Sequence, residues 1–194
     1  MEQRGNVSNS EKENFIEIAT MVFMYLDSTF KEERKRLFQS AVEGEWDEVL
    51  QSCTKAKWPL CIRITKSLDS LFHLAANDKL EHIFEKLLQN PYARMGLEMA
   101  NKKGNNALHI AASIGNVNLC RQIIQYTDSK LLYVCNNEGE APLFLAAVNG
   151  HKDAFLYINN LQKEAGYPYC KRNDGETILH VAISQEYYGK HFHA

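Results

Sequence analysis

The sequence predicts an all-α solenoid of helix-turn-helix units joined by short β-hairpin loops, with a capping helix at its N-terminal end. The first observation is a phrase that recurs as Ser70-Leu71-Phe72-His73-Leu74-Ala75-Ala76, Asn106-Ala107-Leu108-His109-Ile110-Ala111-Ala112, Ala141-Pro142-Leu143-Phe144-Leu145-Ala146-Ala147 and Thr177-Ile178-Leu179-His180-Val181-Ala182-Ile183. Its aligned fourth residues, His73, His109, Phe144 and His180, lie 36, 35 and 36 positions apart, and a weaker copy places Phe38 another 35 upstream. A fixed period of this length marks a stack of supersecondary units that bury one another. The second observation is a glycine six residues after the aligned position, at Gly44, Gly115 and Gly150, where a tight turn between two helices requires a left-handed residue. The third is a polar run with its own glycine before the later copies, as in Asn101-Lys102-Lys103-Gly104-Asn105, Asn136-Asn137-Glu138-Gly139-Glu140 and Arg172-Asn173-Asp174-Gly175-Glu176.

Taken in order, residues 1–9 read as a disordered tail and residues 10–30 as the capping helix. Ser10 and Glu13 form a capping box there, and Phe15, Ile18, Ala19, Val22 and Leu26 recur at helical spacing. Residues 31–186 hold about five repeats, the last incomplete, and 187–194 form a tail. Ser70, Asn106 and Thr177 stand at helix N-caps, and Pro142 stands at a first helical position, where its missing N–H costs nothing. The alanine pairs let first helices stack closely. Second helices are marked by Ile83, Phe84, Leu87 and Leu88, by Leu119, Cys120, Ile123 and Ile124, and by Phe155 and Ile158. Lys79 and Glu186 replace the inter-helix glycine in two copies, and Leu68 replaces the tip glycine in another. Those turns are expected to be less regular.

With 45% hydrophobic and 24% charged residues, the chain has enough apolar content for one continuous core. A net charge of −2 speaks against a general nucleic-acid binder, which needs clustered positive charge. Five cysteines without a Cys-x-x-Cys spacing suggest neither a disulfide framework nor a zinc knuckle, and they read as small core residues in a reducing compartment. The most apolar stretch, Phe15 to Leu26, falls short of the ~20 residues that span a bilayer. The chain is therefore expected to be cytoplasmic.

The recurring phrase resembles the ankyrin signature T-P-L-H-x-A. Four passages narrow the likeness: Ile64-Thr65-Lys66, Gly104-Asn105-Asn106-Ala107-Leu108-His109-Ile110-Ala111-Ala112-Ser113, Gly139-Glu140-Ala141-Pro142-Leu143-Phe144-Leu145-Ala146-Ala147 and Asn173-Asp174-Gly175-Glu176-Thr177-Ile178-Leu179-His180-Val181-Ala182. Over about residues 31–186 they resemble the N-terminal ankyrin region of plant ankyrin-repeat membrane proteins with a C-terminal PGG domain, a group linked to defence and to salt or abscisic-acid signalling. That resemblance implies further repeats, membrane spans outside this chain and a place on the cytosolic face of the plasma membrane. The incomplete fifth copy is likewise read as a sign that the chain is part of a longer protein.

No catalytic, cofactor or metal site is expected, and nothing in the motifs supports an enzyme. His73, His109 and His180 occupy one structural position in three repeats, too far apart to share an ion, and Phe144 at the fourth place fits a structural role. The functional expectation is a scaffold that binds a partner protein on its concave surface. An alternative makes it the cytosolic regulatory region of a multi-span membrane signalling protein, and a third reading makes it a targeting module for an enzyme. Registered from His109, the positions the fold does not require are Lys66, Lys102, Lys103, Asn105, Ser113, Ile114, Asn137, Glu138, Glu140, Asn149, Asp174 and Glu176. Lysines lead and carboxylates follow, with Lys171 and Arg172 diluting the acidic end. The sequence thus predicts a groove that is positive toward the N-terminal repeats and negative toward the C-terminal ones.

Overall fold

A computed structural model of the chain describes residues 28–55, 63–90, 95–127, 129–162 and 171–184. Its helices are α1 (Ser28–Val42), α2 (Trp46–Lys55), α3 (Leu71–Asn77), α4 (Glu81–Leu88), α5 (Met95–Glu98), α6 (Ala107–Ser113), α7 (Val117–Tyr126), α8 (Pro142–Val148), α9 (Lys152–Gln162) and α10 (Ile178–Ser184), with a 3₁₀ turn at Lys130–Tyr133. They form two layers. The first helices α3, α6, α8 and α10 pack one on the next, and the second helices α2, α4, α7 and α9 form a parallel row behind them.

The alternation of small and large residues explains the layering. Ala75, Ala76, Ala111, Ala112 and Ala146 are fully buried, so neighbouring first helices approach without displacing side chains. Phe72, Leu108, Leu143, Phe84, Leu119 and Ile158 fill the space between the rows. Phe72 and Phe84 meet edge to face with centroids 4.9 Å apart. Each such side chain contributes roughly 1.5–3 kcal/mol by leaving water.

The weak first copy keeps the register, with Leu37 and Ala41 buried, but Phe38 is 38% exposed and does not reproduce the buried role of Phe144. At the other end Leu179 and Ile183 are exposed, whereas the aligned Leu143 is buried by the following helix. The capping helix expected over 10–30 lies outside the described residues except for its last three positions, which belong to α1. The two tails at 1–9 and 187–194 also lie outside them.

The two substituted turns among the described residues keep their form, and Glu186 lies outside those residues. Lys79 takes φ +58° and preserves the bonds Lys79 N–H to Ala76 O (3.0 Å) and Leu80 N–H to Ala75 O (2.9 Å), matching Gly115 (φ +73°) and its bond to Ala112 O (3.1 Å). Leu68 takes φ +64° and its N–H donates to Thr65 O (3.1 Å), as Gly104 donates to Asn101 O (2.9 Å). The irregularity expected of these turns appears as backbone strain, because the bonds on either side over-determine the conformation.

Candidate functional site

The surface in question is the row of tips between repeats. Each tip is a five-residue loop closed on itself: Asn101 N–H donates to Asn105 O (2.9 Å), Asn136 N–H to Glu140 O (2.9 Å) and Arg172 N–H to Glu176 O (2.8 Å). Such loops are too short for a ladder. Among the described residues the hairpins expected from sequence reduce to one isolated bridge, Lys171 to Thr177.

The tips are joined to one another. Lys102 N–H donates to Ser67 O (2.9 Å), Asn137 N–H to Lys103 O (3.0 Å) and Asn173 N–H to Glu138 O (2.9 Å), so each tip hangs from the one before it. Asn137 and Asn173 double these links through their side chains, to Lys102 O (2.8 Å) and Asn137 O (3.0 Å). The approach is close enough to require glycine at Gly104, where an added Cβ would stand 2.6 Å from Asn137 N.

A second set of rungs runs from the first residue of each tip to the last residue of the tip before. Asn101 Nδ2 donates to Asp69 Oδ1 (2.8 Å), Asn136 Nδ2 to Asn105 Oδ1 (2.9 Å), and at the third step Arg172 Nε lies 3.3 Å from Glu140 Oε1. Sequence reasoning missed Asn101, Asn136 and Arg172. Their signal was present in the repeat register, as three hydrogen-bond donors at one tip position. Glu140 is consequently corrected from a partner-facing candidate to an internal one, and Asn105 is half-buried. Glu140 is 7% exposed and accepts from Asn136 (2.9 Å), while the Asn105 backbone carbonyl accepts from a histidine.

That histidine is His73, whose Nε2–H donates to Asn105 O at 2.8 Å; His109 does the same to Glu140 O at 3.1 Å. A carbonyl oxygen only accepts, so Nε2 carries the proton and Nδ1 is an acceptor. Ser70 supplies its hydroxyl to Nδ1 of His73 (2.8 Å), and Thr177 supplies its hydroxyl to Nδ1 of His180 (2.8 Å). Burial pushes the His73 imidazole below its ordinary range and that of His109 down to about 4. Both rings are therefore neutral near pH 7 and join one repeat to the next. His180 is exposed, and Phe144 is fully buried.

Arg172 gathers the acidic tips. Its guanidinium meets Glu138 (2.8 Å), Glu140 (3.3 Å), Glu176 (3.1 Å) and Asp174 (3.8 Å), and it sits 5.9 Å from the centre of the Phe144 ring. The hydrogen bond it donates to Glu138 and the surrounding carboxylates raise its pKa further. The other candidates are placed as follows. Lys66, Lys102 and Lys103 are exposed, and Glu138, Asp174 and Glu176 are exposed but tied to Arg172. Ser113 donates to Ile110 O (2.9 Å), Ile114 is half-buried, and Asn149 is exposed with Nδ2 on Leu145 O (2.8 Å). Gly44, Gly115 and Gly150 all lie at positive φ between helices.

Cys53 and Cys120 are buried, and burial pushes both thiols up to about 12; Cys135 is exposed, which corrects the expectation that it is a core residue. Among the described residues no group of three or more His, Cys, Asp or Glu is placed to hold a metal ion. No helix among them is long and apolar enough to cross a membrane.

Comparison with known proteins agrees with this architecture. Residues 72–167 match the family described as ankyrin repeats, three copies. Over 89 residues, 45% of the chain, the sequence is 33% identical to the human transient receptor potential cation channel subfamily A member 1. The chain spans 8% of the length of that relative. The link to plant PGG-domain membrane proteins suggested by the wording of the repeats finds no counterpart in these matches.

Proposed function

From the premise that the chain is an all-α ankyrin-repeat solenoid, we propose that it is a protein-protein interaction scaffold whose partner lies across the tip row and the adjoining ends of the first helices. The observation that carries the reading is the contrast within the tips. Backbone and amide rungs make the row rigid, while Lys66, Lys102 and Lys103 project from it with no side-chain partner among the described residues. A rigid edge with uncommitted long cations limits the ordering that association must impose. Ankyrin stacks are typically interaction modules and not enzymes. We place this one in a reducing compartment, in keeping with its free, buried Cys53 and Cys120.

The test is proximity labelling in cells, run in parallel with the chain and with a Lys66→Glu, Lys102→Glu, Lys103→Glu variant. Proteins recruited by the chain and lost by the variant support the reading. Identical sets of labelled proteins would remove the tip row as the binding surface.

A second reading keeps the surface and sets it in a longer membrane protein. Its support is the match to a segment of a cation channel, and plant stress or defence signalling rests on the wording of the repeats alone. Sequencing the full transcript decides it: apolar runs of ~20 residues downstream would favour this reading, and a stop codon directly after Ala194 would end it.

A further inference from the structure

The two ends of the tip row differ in how far their charge is already committed. Toward the C-terminal end Glu138, Asp174 and Glu176 all reach the single guanidinium of Arg172, and Glu140, the fourth, is turned inward. A cation from a partner would have to compete with Arg172 there. Toward the N-terminal end the carboxylate of the lysine-bearing tip, Asp69, is held by Thr65 (2.9 Å) and Asn101 (2.8 Å), leaving Lys66, Lys102 and Lys103 free of it. The bond from Lys102 N–H to Ser67 O keeps these two tips side by side, and all three lysines on them are exposed.

At the far end of α6 an apolar step follows: Ile114, half-buried and packed against the core to which Ile110 belongs. A seven-residue helix separates this step from the tips, about 10 Å at 1.5 Å per residue. An extended peptide covers that distance in roughly three residues.

We propose that the partner segment taken by this face is acidic, with a run of carboxylates at the Lys66, Lys102 and Lys103 tips and an apolar side chain about three extended residues further on, at Ile114. The inference rests on the interaction reading above and changes the two-signed groove expected from sequence into a row of tips whose acidic end is committed to Arg172 while its lysines are not. Complementary charge speeds the encounter and fixes the direction in which the segment lies, while the apolar step sets its register.

The test uses a fluorescein-labelled peptide with four consecutive Glu, a Gly-Ser spacer and two Leu, and a counterpart with Lys in place of Glu. Fluorescence anisotropy with the full chain should show binding of the Glu peptide only, weakening several-fold between 50 and 200 mM salt. Lys102→Glu with Lys103→Glu should weaken it at least ~10-fold at unchanged melting temperature, since both residues are exposed, and Lys102→Ser with Lys103→Ser should fall between. Preference for the Lys peptide, no binding of the Glu peptide, or equal binding by the charge-reversed variant overturns the proposal. So does capture of phosphatidylserine vesicles that the same variant abolishes, which would make the face a membrane contact. If cellular recruitment depends on the tips while the Glu peptide fails, the acidic segment falls and the scaffold reading survives; if both fail, both fall.

Discussion

His73 Nε2 lies 2.8 Å from the carbonyl oxygen of Asn105, a residue of the next tip 32 positions away. This bond, repeated from His109 to Glu140 at 3.1 Å, ties a helix of one repeat to the loop that opens the next. Both rings are fully buried. His109→Ala should therefore cost about 1–3 kcal/mol, because it strands the buried Asn106 N–H (3.2 Å from Nδ1), removes one of the two bonds to Glu140 O and leaves a cavity. Lys102→Ala, at an exposed tip, should stay within about 0.5 kcal/mol of the parent. Urea unfolding followed by circular dichroism measures both, and equal losses would contradict the assignment.

The same burial sets a pH dependence. With the His109 pKa at about 4 when folded and near 6.5 when unfolded, the unfolded chain binds a proton that the folded chain does not between those values. This contribution is fully present above pH 6.5 and is lost as the pH falls toward 4, by up to about 3 kcal/mol, and His73 acts with the same sign. Urea midpoints should drop between pH 7 and 4.5, and His109→Gln should flatten the drop. A variant as steep as the parent would show that other groups carry the effect.

Asn106 caps α6 but leaves half of its own amide unused. Its Oδ1 accepts from Leu108 N–H (3.0 Å) and His109 N–H (3.1 Å) but has no proton to offer Nδ1 of His109, 2.8 Å away, and its buried Nδ2 has no partner. A hydroxyl both accepts and donates. Asn106→Thr should accordingly stabilise the chain by about 1 kcal/mol, read as a higher urea midpoint at unchanged slope. A destabilised variant would mean that the orphaned amide is satisfied in solution.

The period of the aligned His and Phe positions was enough to locate the first helices, their N-caps and the inter-helix turns, because each is set by residues within one repeat. The tips were legible as loops but not as a bonded row. Whether Asn105 faces a partner or Asn136 depends on the distance between consecutive tips, and a polar tip reads the same in either case. Glu140 illustrates the difficulty, since its charge predicts exposure and its burial follows from partners that the tip wording does not reveal, Asn136 within its own tip and Arg172 from the next. Phe38 fails for the converse reason. Its register is right, yet over a third of its surface remains open.

Arg172 replaces, at one step, the asparagine rung of earlier tips, and it faces Phe144 where those repeats have a histidine. Its removal would leave four carboxylates repelling one another, one of them buried. Arg172→Ala should cost about 1–2 kcal/mol, below a fully buried pair because most of the carboxylates are exposed. The damage should be local. Amide exchange should quicken at Asn173, whose N–H bridges to Glu138 O, and stay unchanged at Asn116. Arg172→Lys should restore little, since an ammonium cannot spread over four partners as the planar fork does. Full recovery with lysine would reduce the role of Arg172 to its charge.

Lys79 is held at φ +58°, where the aligned residue of the next repeat is Gly115 at +73°. A side chain in the left-handed region costs about 1–2 kcal/mol, and the greater freedom of glycine in the unfolded chain offsets part of what its introduction recovers. Lys79 is exposed and its turn bonds are those of a glycine turn, so Lys79→Gly should raise stability by about 0.5–1 kcal/mol. Leu68, at φ +64°, is half-buried, and Leu68→Gly would relieve similar strain while losing apolar contact. Its net change should therefore be smaller, or of opposite sign. Paired urea titrations separate the two, and a loss at Lys79 equal to that at Leu68 would show that the left-handed backbone is not the source of strain in these turns.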